Sequence, residues 1–164
     1  MPPLGKGLAV SVTGSTHDPN GIRSNVDPET HRRSIEGIAK KIREATGVTQ
    51  VEATDIDDCE IGIVSFGITS RAAQDAVMEA RDSGIKAGHL RLKTLWPFPD
   101  DAVGKLCNVA RSVLVPEMNL GQICLEVQRV APSDVEVVPL NKIGGGRMFT
   151  PSEILTNIKE KITI

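Results

Sequence analysis

Residues 115–122 read V-P-E-M-N-L-G-Q, which sets Glu117, Asn119 and Gln122 directly behind the apolar run Val113, Leu114 and Val115. If that run is a strand, the motif lies at its carboxyl end, where open α/β sheets usually place their sites. Glu117 and Asn119 could bind a small ligand there. They could instead satisfy backbone groups at the turn or hydrogen-bond across a subunit contact, and the chemistry alone favours the structural role. Gly121 reads as a point of close packing, and Gln122 falls in the first turn of the helix that follows. A second pair, His17 and Asp18, has the residue types of an acid–base couple. Adjacent side chains rarely orient one another, however, and Asp18-Pro19-Asn20-Gly21 is a strong turn signal. In L-W-P-F-P (95–99), Trp96 and Phe98 could line a pocket, or seal a loop against a neighbouring domain or the sheet edge; the second reading is preferred. Gly144–Gly146 precedes a helix start and could cradle a phosphate on free N–H groups, although such a turn is usually only a turn.

Other chemistry is missing its pattern. Cys59, Cys107 and Cys124 show no C-x-x-C spacing, which argues against an iron–sulfur cluster held by this chain, and their odd number and wide separation suit buried thiols in a reducing cytoplasm. His17, His31 and His89 lack an i,i+4 ligand partner, so a zinc site is not expected. There is no Walker loop, no G-x-S-x-G and no G-x-G-x-x-G. A net charge of −2 gives no reason to expect nucleic acid or an anionic membrane as a partner. No apolar run reaches the roughly 20 residues of a membrane span, and the N-terminus lacks the apolar stretch of a secretory signal.

The elements that must position these residues follow from periodicity. The 164 residues suit one domain with some extension. With one Trp, three Phe and no Tyr, the core must be built from Val, Ile, Leu and Ala. Glu60–Phe66 is a near-continuous apolar run, as in a strand buried on both faces. Thr69 or Ser70 then caps a helix with Ala73, Ala76, Val77 and Ala80 on one face, stopped at Gly84. A strand at Ala87–Leu92 leads through the L-W-P-F-P loop to a short helix opened by Asp100. A strand at Ser112–Val115, with Pro116 marking its last residue, leads to a helix near Gly121–Ala131 with Ile123, Val127 and Val130 on one face. The last unit is a strand at Val135–Pro139 and a helix opened by Thr150, Pro151 and Glu153, a capping box. Four such units imply right-handed crossovers and a parallel sheet covered on both faces. Val48–Ala53 adds a short edge strand of uncertain direction. Residues 1–47 form an arm of different character: a strand at Gly7–Thr13, a turn-rich loop, and a helix opened by Asp27-Pro28-Glu29 with Ile35, Ile38, Ala39 and Ile42 on a buried stripe. The arm packs on the body, residues 48–164, or on a partner domain.

Five segments in order, T-G-S-T-H-D-P-N-G (13–21), I-V-S-F-G-I-T-S-R-A-A (63–73), G-H-L-R-L-K-T-L-W-P-F-P (88–99), V-P-E-M-N-L-G-Q (115–122) and N-K-I-G-G (141–145), resemble the C-terminal part of the alpha subunit of 2-oxoacid:ferredoxin oxidoreductases, in particular the 2-oxoglutarate and branched-chain 2-oxoacid types. The resemblance runs from about Leu4 to Ile162. It implies a transketolase C-terminal-like domain, a three-layer α/β/α sandwich on a mostly parallel five-stranded sheet with one antiparallel edge strand, which suits Val48–Ala53. It also implies an enzyme complex that decarboxylates a 2-oxoacid oxidatively, forms an acyl-coenzyme A and reduces ferredoxin, using thiamine pyrophosphate, Mg and an iron–sulfur cluster. The thiamine signature, G-D-G with paired Asn roughly 30 residues on, does not occur here. No catalytic residue carries over, and the chain by itself is expected to be inactive and to hold no cofactor. The implied partners are the N-terminal pyrimidine-binding domain of the alpha subunit and the beta subunit, with gamma and delta subunits as further candidates. His17, Asp18, Trp96, Phe98, Glu117, Asn119, Gly121 and Gln122 are the candidate interface residues. The alternative is a free-standing α/β module binding coenzyme A or a nucleotide phosphate at the helix N-termini near Gly67–Ser70 or Gly144–Thr150. A third possibility is a non-enzymatic adaptor whose arm clasps a partner.

Overall fold

A computed structural model describes residues 5–7 and 14–162. The strand expected at Gly7–Thr13 falls almost wholly outside the described residues. By backbone proximity the chain divides into two units, Met1–Thr46 and Gly47–Ile164.

The second unit holds a five-stranded sheet in the order β1-β3-β2-β4-β5. Its strands are β1 (Val51–Thr54), β2 (Ile61–Phe66), β3 (Ala87–Leu92), β4 (Ser112–Glu117) and β5 (Glu136–Asn141). The pairs β2–β3, β2–β4 and β4–β5 are parallel; β1 runs antiparallel to β3, with Val51 opposite Leu92 and Thr54 opposite His89. The helices are α2 (Thr69–Asp82), α3 (Asp100–Cys107), α4 (Gln122–Val130) and α5 (Pro151–Glu160). Side-chain alternation along the strands divides the core into two layers. Ile61, Ile63, Ala87 and Leu114 pack against Ala73, Ala76, Val77 and Ala80 of α2 and Ile154 and Ile158 of α5. Val64, Leu90, Val113 and Val115 face Val103 and Leu106 of α3 and Cys124 and Val127 of α4. The result is the three-layer α/β/α sandwich with one antiparallel edge strand.

The small Ala side chains let α2 lie close to the sheet. Arg81 clamps its last turn: Nε donates to Ala87 O at 2.7 Å, and one guanidinium nitrogen reaches Asp55 O at 2.9 Å and Asp58 at 2.6 Å. Gly88 is required by close approach, since a Cβ there would lie 2.6 Å from Asp55 O and 2.8 Å from Cys59 Cβ.

Three local expectations need correction. Pro116 does not end β4, because the strand continues to Glu117, opposite Asn141. The ladder to β2 stops at Leu114, so a residue without an N–H is tolerated where only β5 still pairs. Neither Thr69 nor Ser70 caps α2; its N-cap is Ile68, with no side-chain bond, and the two hydroxyl residues are buried at 6% and 2% exposure. Gly121 is needed for its left-handed backbone (φ 96°) rather than for close packing, since a Cβ would meet nothing nearer than 3.7 Å. In the first unit, α1 (Pro28–Glu44) has no buried residue in the chain by itself, with Ile35 and Ile38 55% and 58% exposed.

Candidate functional site: the turn at the carboxyl end of β4

Glu117 closes β4 with its side chain 1% exposed, on the side of the sheet that α4 covers. Its carboxylate accepts two backbone donors of α4, Ile123 N at 3.0 Å and Cys124 N at 2.8 Å. A helix start leaves N–H groups unsatisfied, and its dipole favours negative charge there. Both needs are met from inside the protein. Asn119 completes the turn, its Oδ1 accepting from Gly121 N at 2.7 Å and Gln122 N at 3.2 Å. The carbonyl of Glu117 takes Lys142 N at 2.9 Å, tying the chain after β5 to the same corner. Gln122 opens α4 with its side chain toward solvent. Glu117, Asn119, Gly121 and Gln122 are thus one hydrogen-bonded turn, and Leu120 at its tip is 77% exposed.

Trp96 and Phe98 lie together in the β3–α3 loop with opposite fates, Trp96 75% exposed and Phe98 8%. The Arg129 guanidinium of α4 sits 5.8 Å from the Phe98 ring centroid and bonds Asp100 at 2.5 Å and Glu126 at 2.8 Å. His17 and Asp18 belong to the first unit. Asp18 Oδ1 accepts from Asn20 N and Ile22 N, both at 2.9 Å, and His17 pairs with Arg23 in an isolated bridge. The carboxylate of Asp18 is therefore occupied by its own turn.

Sequence reasoning passed over a buried polar chain on the other face of the sheet. Ser65 Oγ lies 2.7 Å from His89 Nε2 and bonds Ser70 Oγ at 3.0 Å, with Ser65 fully buried and His89 3% exposed. Burial, with the nearby Arg91 adding to it, pushes the His89 pKa down to about 4. A signal was available: in I-G-I-V-S-F and A-G-H-L-R-L, Ser65 and His89 both fall on the alternate positions that face α2.

The remaining chemistry was tested against the groups that the resemblance implies. The N-terminus of α4, the natural seat for a diphosphate, is filled by Glu117. That of α5 is filled by Thr150 and Glu153 in a capping box, with Lys142 bonded to Glu153 at 2.7 Å. The Lys142 ammonium, with the Thr150 donors, holds the Glu153 carboxyl at about 2. The three cysteines are buried and free; burial pushes Cys59 and Cys107 up to about 11 and raises Cys124. Such thiols are poor ligands and poor nucleophiles. These residues do not fit thiamine pyrophosphate, Mg or an iron–sulfur cluster. Among the described residues no group of three His, Cys, Asp or Glu side chains is placed to hold a metal ion, and no helix is long and apolar enough to cross a membrane.

Fold and turn together define an α/β/α sandwich whose strand-end corner is hydrogen-bonded to itself and displays apolar side chains outward. The chain belongs to the family described as pyruvate:ferredoxin oxidoreductase core domain II, which it matches over residues 59–154. It is 40% identical over 159 residues to the 2-oxoglutarate synthase subunit KorA of Methanothermobacter marburgensis, covering 96% of this chain and 42% of that protein. The KorA subunit of Methanocaldococcus jannaschii is 43% identical over 155 residues, covering 94% and 41%. Among solved structures, the 2-oxoglutarate:ferredoxin oxidoreductase from Magnetococcus marinus with 2-oxoglutarate, coenzyme A and succinyl-CoA bound matches with a TM-score of 0.73 and 25% identity, over 99% of this chain and 28% of that one. The chain spans about 42% of the length of the Methanothermobacter KorA subunits and less of the other curated relatives.

Proposed function

We propose that the chain serves as a non-catalytic structural and interface domain in the alpha subunit of a 2-oxoacid:ferredoxin oxidoreductase, the complex that converts a 2-oxoacid to an acyl-coenzyme A and reduces ferredoxin. The observation that carries this reading is the likeness to KorA along 96% of the chain. It is joined by a turn in which the most buried carboxylate bonds only its own backbone. Thiamine pyrophosphate, Mg and the iron–sulfur cluster belong, in this reading, to the pyrimidine-binding domain and to the beta and other subunits. The 2-oxoacid to test first is 2-oxoglutarate, because the KorA subunits of the two Methanothermobacter strains and of Methanocaldococcus jannaschii align over 94–96% of the chain and that of Archaeoglobus fulgidus over 72%. The ketoisovalerate oxidoreductase subunit VorB of Methanothermobacter thermautotrophicus, 38% identical, aligns over only 64%. The alternative, phosphate binding at a helix N-terminus, loses ground at Gly144–Thr150, where the capping box of Thr150 and Glu153 occupies the start of α5, while the start of α2 near Gly67–Ser70 carries no side-chain cap.

A chimera tests the reading. The aligned 159 residues of the M. marburgensis KorA subunit are replaced by this chain and co-expressed with the other subunits of that enzyme. The expected result is an assembled complex that reduces ferredoxin with 2-oxoglutarate and coenzyme A, while the isolated chain shows no turnover. Turnover by the isolated chain, or a chimera that never assembles, overturns the proposal.

A further inference from the structure

We infer that the corner formed by the β4–α4 turn, the outer face of α4 and Trp96 is the surface on which the rest of the same subunit docks, and that Leu120, Trp96 and Leu125 are its anchors. The inference rests on the reading above and adds the surface and the chemistry of its partner.

Three large apolar side chains stand outward at this corner: Leu120 at 77% exposure, Trp96 at 75% and Leu125 at 67%. Single exposed apolar residues are common; these three differ in what holds them. Leu120 lies between Asn119, whose side chain accepts two turn N–H groups, and Gly121, one of those donors. Leu125 directly follows the two residues whose N–H groups are taken by Glu117, and its own N–H bonds Gly121 O at 3.3 Å. Trp96 borders a cleft of about 430 Å³ lined also by Pro97, Phe98, Asp100, Glu126 and Arg129. Its loop is anchored by buried Phe98 beneath Arg129, which is itself tied to two carboxylates. A buried carboxylate, an Asx turn and a three-residue ion network thus fix the backbone beneath apolar groups that touch little of their own fold. Fixing anchors in advance lowers the entropy cost of association, and Trp is enriched among the residues that carry binding energy at interfaces.

The occupant is a polypeptide surface. Small-molecule sites are concave and enclose the ligand, whereas these anchors project and need pockets on the other side. Asp100 and Glu126 share the single guanidinium of Arg129, and Asp101 follows Asp100 in the first turn of α3, so the corner is acidic and fits an apolar patch edged with Lys or Arg. The relatives carry further polypeptide that could supply it: more than half of KorA, and most of the chain of the solved oxidoreductase, lies outside the region that this chain matches.

The test is hydroxyl-radical footprinting of the chimeric complex against the isolated chain. Oxidation of Trp96, Leu120 and Leu125 should fall roughly tenfold on assembly, as for anchors at the centre of an interface. Met78, 56% exposed on α2 in the opposite layer, should react equally in both. In parallel, Leu120→Asp should lower the yield of assembled complex by roughly tenfold, with the melting temperature of the isolated chain unchanged, and Met78→Asp should assemble normally. An assembled complex in which the three residues stay as reactive as in the isolated chain overturns the inference and leaves the proposed function standing. A chimera that does not assemble removes both.

Discussion

Glu117 departs from what burial normally allows a carboxylate. At 1% exposure it is among the largest fully buried side chains of the protein, and it is tolerated because both oxygens accept a backbone N–H. Replacing it with Ala strands the N–H of Cys124, which is buried, and that of half-buried Ile123. Leaving a buried donor unpaired costs about 1–3 kcal/mol, so the loss of both bonds in Glu117→Ala should cost about 2–6 kcal/mol in urea unfolding. Glu117→Gln, which keeps one acceptor, should cost less. A loss below about 0.5 kcal/mol for Ala would mean that water replaces the carboxylate without penalty. This geometry was only half legible in the sequence. Asn119 reaches two and three residues ahead, the usual Asx pattern. Glu117 reaches six and seven ahead, a span for which no local spacing rule exists, because it depends on how α4 folds back over β4.

At the scale of elements, the His89–Ser65–Ser70 chain joins β3, β2 and the first turn of α2 inside a core layer otherwise built of Ile, Val, Leu and Ala. The folded pKa of His89, about 4, lies below its ordinary value of 6.5. Between those values the unfolded chain binds the proton and the folded one does not, so stability rises with pH across this window. The contribution is complete above about pH 6.5 and is lost as pH falls toward about 4, a swing on the order of 3 kcal/mol. Unfolding free energies of the wild type and His89→Asn, measured from pH 4 to 7, should converge at the acid end and separate as pH rises; parallel curves would dismiss the linkage. The strand–helix alternation around this network was readable because each unit carries its own period: near-continuous apolar runs for β2 and β4, the Ala73–Ala80 stripe for α2, Thr150-Pro151-Ser152-Glu153 for α5. The ends were less readable. α2 starts on Thr69 with no side-chain cap because Ser70 bonds Ser65 instead, a tertiary contact outbidding the local one. The register that places Ser65 and His89 on one face follows from alternation, but their bond depends on β2 and β3 pairing in parallel, which no single strand reveals.

At the scale of the whole molecule, the unit Met1–Thr46 differs from Gly47–Ile164 in how its helix is stabilised. α1 has everything that local chemistry offers: Asp27 accepting from Glu29 N and Thr30 N at 3.3 and 3.1 Å, Pro28 at the first position, and Arg32 and Arg33 paired with Glu29 and Glu36. Pairs as exposed as these add little, because solvent screens them. Helices of about this length stay marginal in water without tertiary packing, and α1 buries no residue while α2 buries seven. The amphipathic pattern that identified the helix from sequence reported its period correctly and carried no information on whether anything covers the stripe. Native-state hydrogen exchange of the free chain should therefore find the amides of α1 less protected than those of β2 and α2 by roughly three orders of magnitude or more, the gap between local and global opening. Equal protection in the two units would mean that α1 draws stability from packing, and the local account of the helix would have to be abandoned.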